Sequence, residues 1–120
     1  MSESILDTIK KLLGAAPEYT PFDEDLIVHI NTYIRVLNQL GVGSESFEIT
    51  SNAETWSDFL GDDTVLFAQV KSYLYGKVRL IFDPPTSSIV LQALKEATDE
   101  NEWRIIEYAD QKRREAGEDE

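Results

Sequence analysis

Along most of the chain apolar residues recur every three or four positions, the spacing of one helical face, and strand-like alternation is confined to one short stretch. Ser4 to Leu13 puts Ile5, Leu6, Ile9, Leu12 and Leu13 on one side, which predicts a short amphipathic helix stopping at Gly14. Ala15 to Tyr19 reads as a loop. Thr20-Pro21-Phe22-Asp23 then offers a capping residue, a proline at the first helical position and an acid three residues after the cap. That signal predicts a helix running to Leu40 and ending at Gly41. At 100° per residue, Leu26, Ile27, Ile30, Tyr33, Ile34, Leu37 and Leu40 fall within an arc of about 140°, a core-facing stripe, with His29 and Val36 just outside it.

Val42 to Ser46 is a Gly/Ser loop, and Phe47-Glu48-Ile49-Thr50 is the alternating stretch, a short strand or extended link. One strand makes no sheet, so the stretch either packs as an extended segment or pairs with its equivalent in another subunit. Ser51 and Glu54 fit a capping box opening a short helix that carries Trp56, Phe59 and Leu60 and stops at Gly61. Asp62 and Asp63 are placed to cap a helix from Thr64 to Phe82. This helix lacks a clean polar face, because Gln69, Lys71, Ser72, Lys77 and Arg79 are scattered among apolar residues around its circumference. Such a helix must be surrounded, and part of its surface is expected to meet another chain. Gly76 in its interior costs roughly 1 kcal/mol relative to Ala, which close helix packing would offset.

Asp83-Pro84-Pro85 ends that helix, and Thr86, Ser87 or Ser88 caps a long last one. On it Val90, Leu91, Leu94, Ala97, Thr98, Asn101, Ile105, Tyr108 and Ala109 share an arc. Trp103 lies almost opposite, among Glu96, Glu100, Glu107 and Asp110. Trp is enriched at interface hot spots, so Trp103 fits a partner anchor; packing on a neighbouring helix of its own chain fits equally. From Gln111 the composition turns to Lys112, Arg113, Arg114, Glu115 and an acidic end, which predicts fraying. Together the elements predict an all-α fold of about five helices: one helical domain over 1–110 and a charged, flexible C-terminal tail over 111–120.

A chain of 120 residues suits one domain with one core, large enough to need neither metal nor disulfide. It has no cysteine, which removes thiolate catalysis, zinc–cysteine sites and disulfides. The formal charge of -12 makes it a poor grip for nucleic acid or anionic membranes, both of which reward Lys and Arg. Neither a signal-peptide pattern nor a membrane-length apolar run occurs, which points to a protein made in the cytoplasm. Charge is unevenly placed. Residues 18–63 hold ten acids and only Arg35, residues 64–82 hold Lys71, Lys77 and Arg79 with no acid, and 83–120 are again acidic. A basic segment between acidic ones fits complementary faces within or between subunits, or simply solvated helix surfaces.

Catalytic constellations are hard to assemble. His29 is the only imidazole, and there is no Gly-x-Ser-x-Gly elbow, Walker A sequence or dinucleotide fingerprint. The carboxylate clusters Asp23-Glu24-Asp25 and Asp62-Asp63 stand at predicted helix starts, where the helix dipole already favours acids, and neither follows the EF-hand spacing. The residues point to no enzyme, no cofactor and no metal.

Four blocks carry a family resemblance: Asn38-Gln39-Leu40-Gly41-Val42-Gly43; Trp56-Ser57-Asp58-Phe59-Leu60-Gly61-Asp62-Asp63; Val78-Arg79-Leu80-Ile81-Phe82-Asp83-Pro84-Pro85-Thr86-Ser87-Ser88; and Glu102-Trp103-Arg104. In this order they resemble the small head-to-tail connector, or adaptor, proteins of tailed bacteriophages and prophages, over roughly Ile5 to Ile105. The resemblance implies a virion protein at the head–tail interface, with its own copies as partners in a cyclic ring, dodecameric in the virion. It also implies contacts with the portal protein and with a head-closure or tail-completion protein, and an axial channel through which DNA passes without sequence-specific binding. The residues it puts forward for subunit or portal contacts are Lys71, Lys77, Arg79, Asp83, Pro84, Pro85, Trp103 and Arg104. Two rival readings of the acidic composition are a small intracellular regulator, such as a DNA mimic, and a carboxylate-dependent metalloenzyme.

Overall fold

Helices form where the apolar periodicity places them. The computed structural model describes residues 1–117 and orders them as α1 (Ile5–Leu12), α2 (Asp23–Gln39), α3 (Trp56–Leu60), α4 (Thr64–Phe82) and α5 (Ser88–Glu115). The fold is all-α; among the described residues the only β-type pairing is an isolated bridge between Ser4 and Thr55. Ser4 caps α1 by accepting the Asp7 N–H at 3.1 Å, Asp63 caps α4 through the Leu66 N–H, and Ser87 caps α5 through the Val90 N–H.

Two helix starts differ from the sequence expectation. The Thr20 carbonyl accepts the Asp23 N–H at 3.1 Å, so Thr20-Pro21-Phe22 closes a turn and α2 begins only at Asp23, with no side-chain cap. Three acids in the first turn of α2 offset the missing cap by facing the positive end of the helix dipole. The second capping box is one turn later than Ser51 and Glu54. Thr55 and Asp58 form it, each side chain accepting the other's backbone N–H, while Glu54 turns back to receive the Thr50 and Ser51 N–H groups and the Thr50 hydroxyl.

Helix α4 is the centre of the packing. Helix α5 lies antiparallel along one side of it, and α1, α2 and α3 cover the others. The core runs through Ile5, Ile9, Leu26, Ile30, Ile34, Leu37, Trp56, Phe59, Val70, Tyr73, Leu74 and Val78, all essentially inaccessible to water. The chain's own helices thus cover most of the apolar circumference of α4, leaving Val65 and Ile81 half exposed. The surplus apolar surface that the sequence assigns to α4 lies mainly elsewhere.

The extended stretch is consumed within the chain. The Asn31 side chain donates to the Ile49 carbonyl at 2.9 Å and accepts the Ile49 N–H at 2.8 Å, acting as a one-residue strand partner. Ile49 enters the core, and Phe47 stacks on Phe59 with ring centroids 5.0 Å apart. Gly43, at φ 81°, carries the loop past Phe59 so closely that a β-carbon there would enter the ring. Helix α5 also continues past Gln111, where the composition predicts fraying, to Glu115. Arg113 lies against Gly41 and pairs with Asp110 at 2.9 Å, which gives these turns a docking place. The rest of the predicted tail, 118–120, lies outside the described residues.

Gly76 faces Thr98 where α4 and α5 touch, and a β-carbon at 76 would collide with the Thr98 hydroxyl. Helix propensity alone favours Gly76→Ala by about 1 kcal/mol. The collision reverses that sign: Gly76→Ala is expected to destabilise by about 1–3 kcal/mol in urea unfolding, and Thr98→Gly in the same chain to recover most of it.

Candidate functional site

Several charged and polar groups that could do chemistry are engaged in holding the fold. Lys10 is buried, donating to the Pro17 carbonyl at 2.7 Å and pairing with Asp23 at 2.8 Å. Tyr73 donates to Glu102 at 2.9 Å; burial first, then this carboxylate, pushes its hydroxyl far above the usual tyrosine range. Tyr108 donates to both Asp63 oxygens, at 3.0 and 2.9 Å, and is shifted the same way for the same two reasons. Burial opposes the charge of Glu54, but the hydrogen bonds from Thr50 and Ser51 outweigh it and hold the carboxyl below its usual range. Among the described residues no three His, Asp or Glu side chains gather as a metal ion requires. His29 is half-buried beside the core stripe of α2.

Apart from Val28 of α2 and Val65 of α4, the exposed large apolar residues lie in two places. The first is one end of the molecule, where the start of α2, the end of α4 and the start of α5 come together. Phe22 meets Phe82 edge-to-face at 5.3 Å, and Tyr19 lies 5.9 Å from Phe22. Leu13, Ala15, Ala16, Tyr19, Phe22 and Phe82 line most of an open cleft of about 390 Å³ there, with Lys10 and Asp23 in its wall. Leu12, Tyr19, Phe22, Ile81, Ile89 and Val90 are all exposed.

The second place is the face of α5 turned away from α4. Only Thr98 and Ile105 of this 28-residue helix are fully buried. Trp103 is 60 % exposed and lines a shallow groove with Gln69, Arg104, Glu107, Tyr108, Gln111 and Arg114. The groove includes Gln69 of α4, so Trp103 lies partly against its own chain while most of its surface stays in solvent.

The structure does not bring the eight residues named from the sequence into one patch. Lys71 sits 5.0 Å above the Phe67 ring, and Lys77 lies 5.8 Å from both Tyr33 and Tyr73. Arg79 donates to the Tyr75 hydroxyl at 2.8 Å. These cations rest on aromatic groups of their own helix and of α2. Asp83, Pro84 and Pro85 form the α4–α5 turn at the apolar end, whereas Trp103 and Arg104 lie further along α5, Arg104 pairing with Glu100 at 2.8 Å. Sequence reasoning missed Ile89, the most exposed large apolar residue at 81 %. One signal was available: Ile89 is half a revolution from Thr98, off the arc that the other apolar residues share.

An all-α fold that leaves Tyr19, Phe22, Ile89 and Trp103 exposed on its surface fits a protein that works through contacts with other proteins. The family model described as phage connector protein matches residues 5–112, and the chain belongs to that family. It is thus a structural phage protein, a virion component that works through contacts with other phage head and tail proteins, and the family is non-enzymatic. No curated protein and no solved structure matches it. No helix of the described residues is long and apolar enough to cross a membrane.

Proposed function

We propose that this connector assembles as a ring between the capsid portal and the next head-closure or tail-completion protein, with an axial channel for the genome. The observation that carries the proposal is the large apolar side chains left exposed on a well-packed chain, at the cleft end and at Trp103 on α5. Contiguous exposed apolar residues, as at the cleft end, mark surfaces that another protein covers. In a ring each copy uses two different patches, so surfaces on separate sides of the subunit suit cyclic assembly. The net charge of -12 fits passage, because acidic walls repel DNA phosphates and let the duplex slide. Asp83, Pro84, Pro85, Trp103 and Arg104 remain the proposed contacts with portal or neighbour, and Lys71, Lys77 and Arg79 supply positive charge toward the acidic surface of a neighbour.

Trp103→Ala is expected to leave helicity and unfolding midpoint nearly unchanged, since the side chain is mostly in water, while weakening association with portal or subunit by about 30-fold, equivalent to about 2 kcal/mol. Circular dichroism and a titration of labelled portal protein check the two halves. A folded variant with full affinity removes Trp103 from the interface. The proposal itself is tested by a pull-down with the portal protein followed by imaging of the complex.

A further inference from the structure

The cleft and Ile89 share one end of the molecule but face opposite ways across α4. Phe82 of α4 forms part of the cleft wall, and the other walls come from α1, the following loop and the start of α2. Ile89 is nine residues before Thr98, the residue that packs on Gly76, and so points away from α4. With Val90 beside it, 48 % exposed, Ile89 forms an apolar knob on the first turn of α5.

Charge follows the same division. Residues 18–25 at the cleft rim hold Glu18, Asp23, Glu24 and Asp25 and no base, and even with Lys10 and Lys11 counted the net over 10–25 is -2. Residues 84–94 around the knob hold no charged side chain, while Lys77 and Arg79 are held by Tyr33, Tyr73 and Tyr75. The knob is also the N-terminal turn of a long helix, the positive end of its dipole.

Resting on the ring reading, we infer that the occupant of the cleft is a second copy of this chain: Ile89 and Val90 of one subunit seat in the Tyr19–Phe22–Phe82 cleft of the next. A knob and a socket on opposite sides of α4 repeat head to tail, the arrangement that closes a ring when the rotation closes. The acid-rich rim faces the uncharged knob at the positive end of the α5 dipole, which disfavours rim-to-rim pairing. This contact also gives the Asp83–Ser88 turn a role: two prolines hold the knob beyond the end of α4.

The chain has no cysteine, so single thiols can be placed at will. Ser88→Cys and Ala16→Cys, both at exposed positions, put one thiol at the knob and one at the cleft rim. Under mild oxidation a mixture of the two single variants, assembled with or without portal protein, is expected to give mostly the mixed dimer. The doubly substituted chain should give a ladder. Ile89→Asp should lower the yield at least tenfold without unfolding the protein, because an acid suits the first turn of a helix. Rings that form but show no 88–16 cross-link, or Ile89→Asp rings that form as readily as wild type, overturn the knob-and-socket contact and leave the ring itself standing. A wild-type chain that stays monomeric in every condition, portal included, overturns both.

Discussion

Replacing Trp56 with alanine is expected to cost about 3–5 kcal/mol, enough to unfold a large fraction of a marginally stable domain at 37 °C. Trp56 is fully buried where α3 meets α1 and α4: its indole N–H donates to the Thr8 hydroxyl at 3.0 Å, and Phe67 packs on it edge-to-face at 5.5 Å. The five-residue α3 has little stability of its own, so it stays helical because Trp56, Phe59 and Leu60 are buried and the Thr55–Asp58 box holds its start. Trp56→Phe keeps an aromatic ring but loses the hydrogen bond to Thr8, and should cost about 1–2 kcal/mol. Urea midpoints for the two variants should therefore fall in that order.

Asp23→Ala is the second large effect, about 2–3 kcal/mol. Removing one partner of a buried ion pair strands the other charge, which typically costs about 3–5 kcal/mol, and the quarter exposure of Asp23 lowers that figure. Lys10 is left buried with only the Pro17 carbonyl as partner. Lys10→Met should cost less than Asp23→Ala, because the buried charge goes with the substitution and an apolar chain of similar length fills the space. Equal unfolding midpoints for the two variants would mean that Lys10 reaches water when its partner is removed. Because both residues stand in the cleft wall, a folded Lys10→Met chain also shows whether the cleft needs its charge pair.

The order and type of the elements were legible because helix periodicity, Gly stops and the Asp83-Pro84-Pro85 break all act within a few residues of one another. Helix starts were less legible. Thr20-Pro21 and Ser51-Glu54 carry the residue types of caps, and turns use the same types; only the backbone decides which of the two forms. Gly76 was read as a site of close packing, and Thr98 is the neighbour that uses the space. The covering of α4 was not legible, since periodicity shows that a helix needs partners without naming them. Nothing in the periodicity marks Lys10 as buried; its burial depends on the loop carbonyl of Pro17 and on Asp23 meeting across two helices. The free face of α5 was half legible, through Trp103, while Ile89 passed as an ordinary helix residue.

The family gives these surfaces a common purpose. In the proposed ring, each copy must fold alone and still keep apolar patches for its neighbours. This chain packs one core and leaves Ile89, Trp103 and the cleft exposed, the surfaces that the proposed ring would cover. The most direct measurement is imaging of the purified chain mixed with its portal protein, with light scattering of the same samples across a range of salt. The proposed function predicts a ring of subunits seated beneath the portal around an open axis. A chain that remains a monomer at every salt concentration and leaves the portal bare would contradict it.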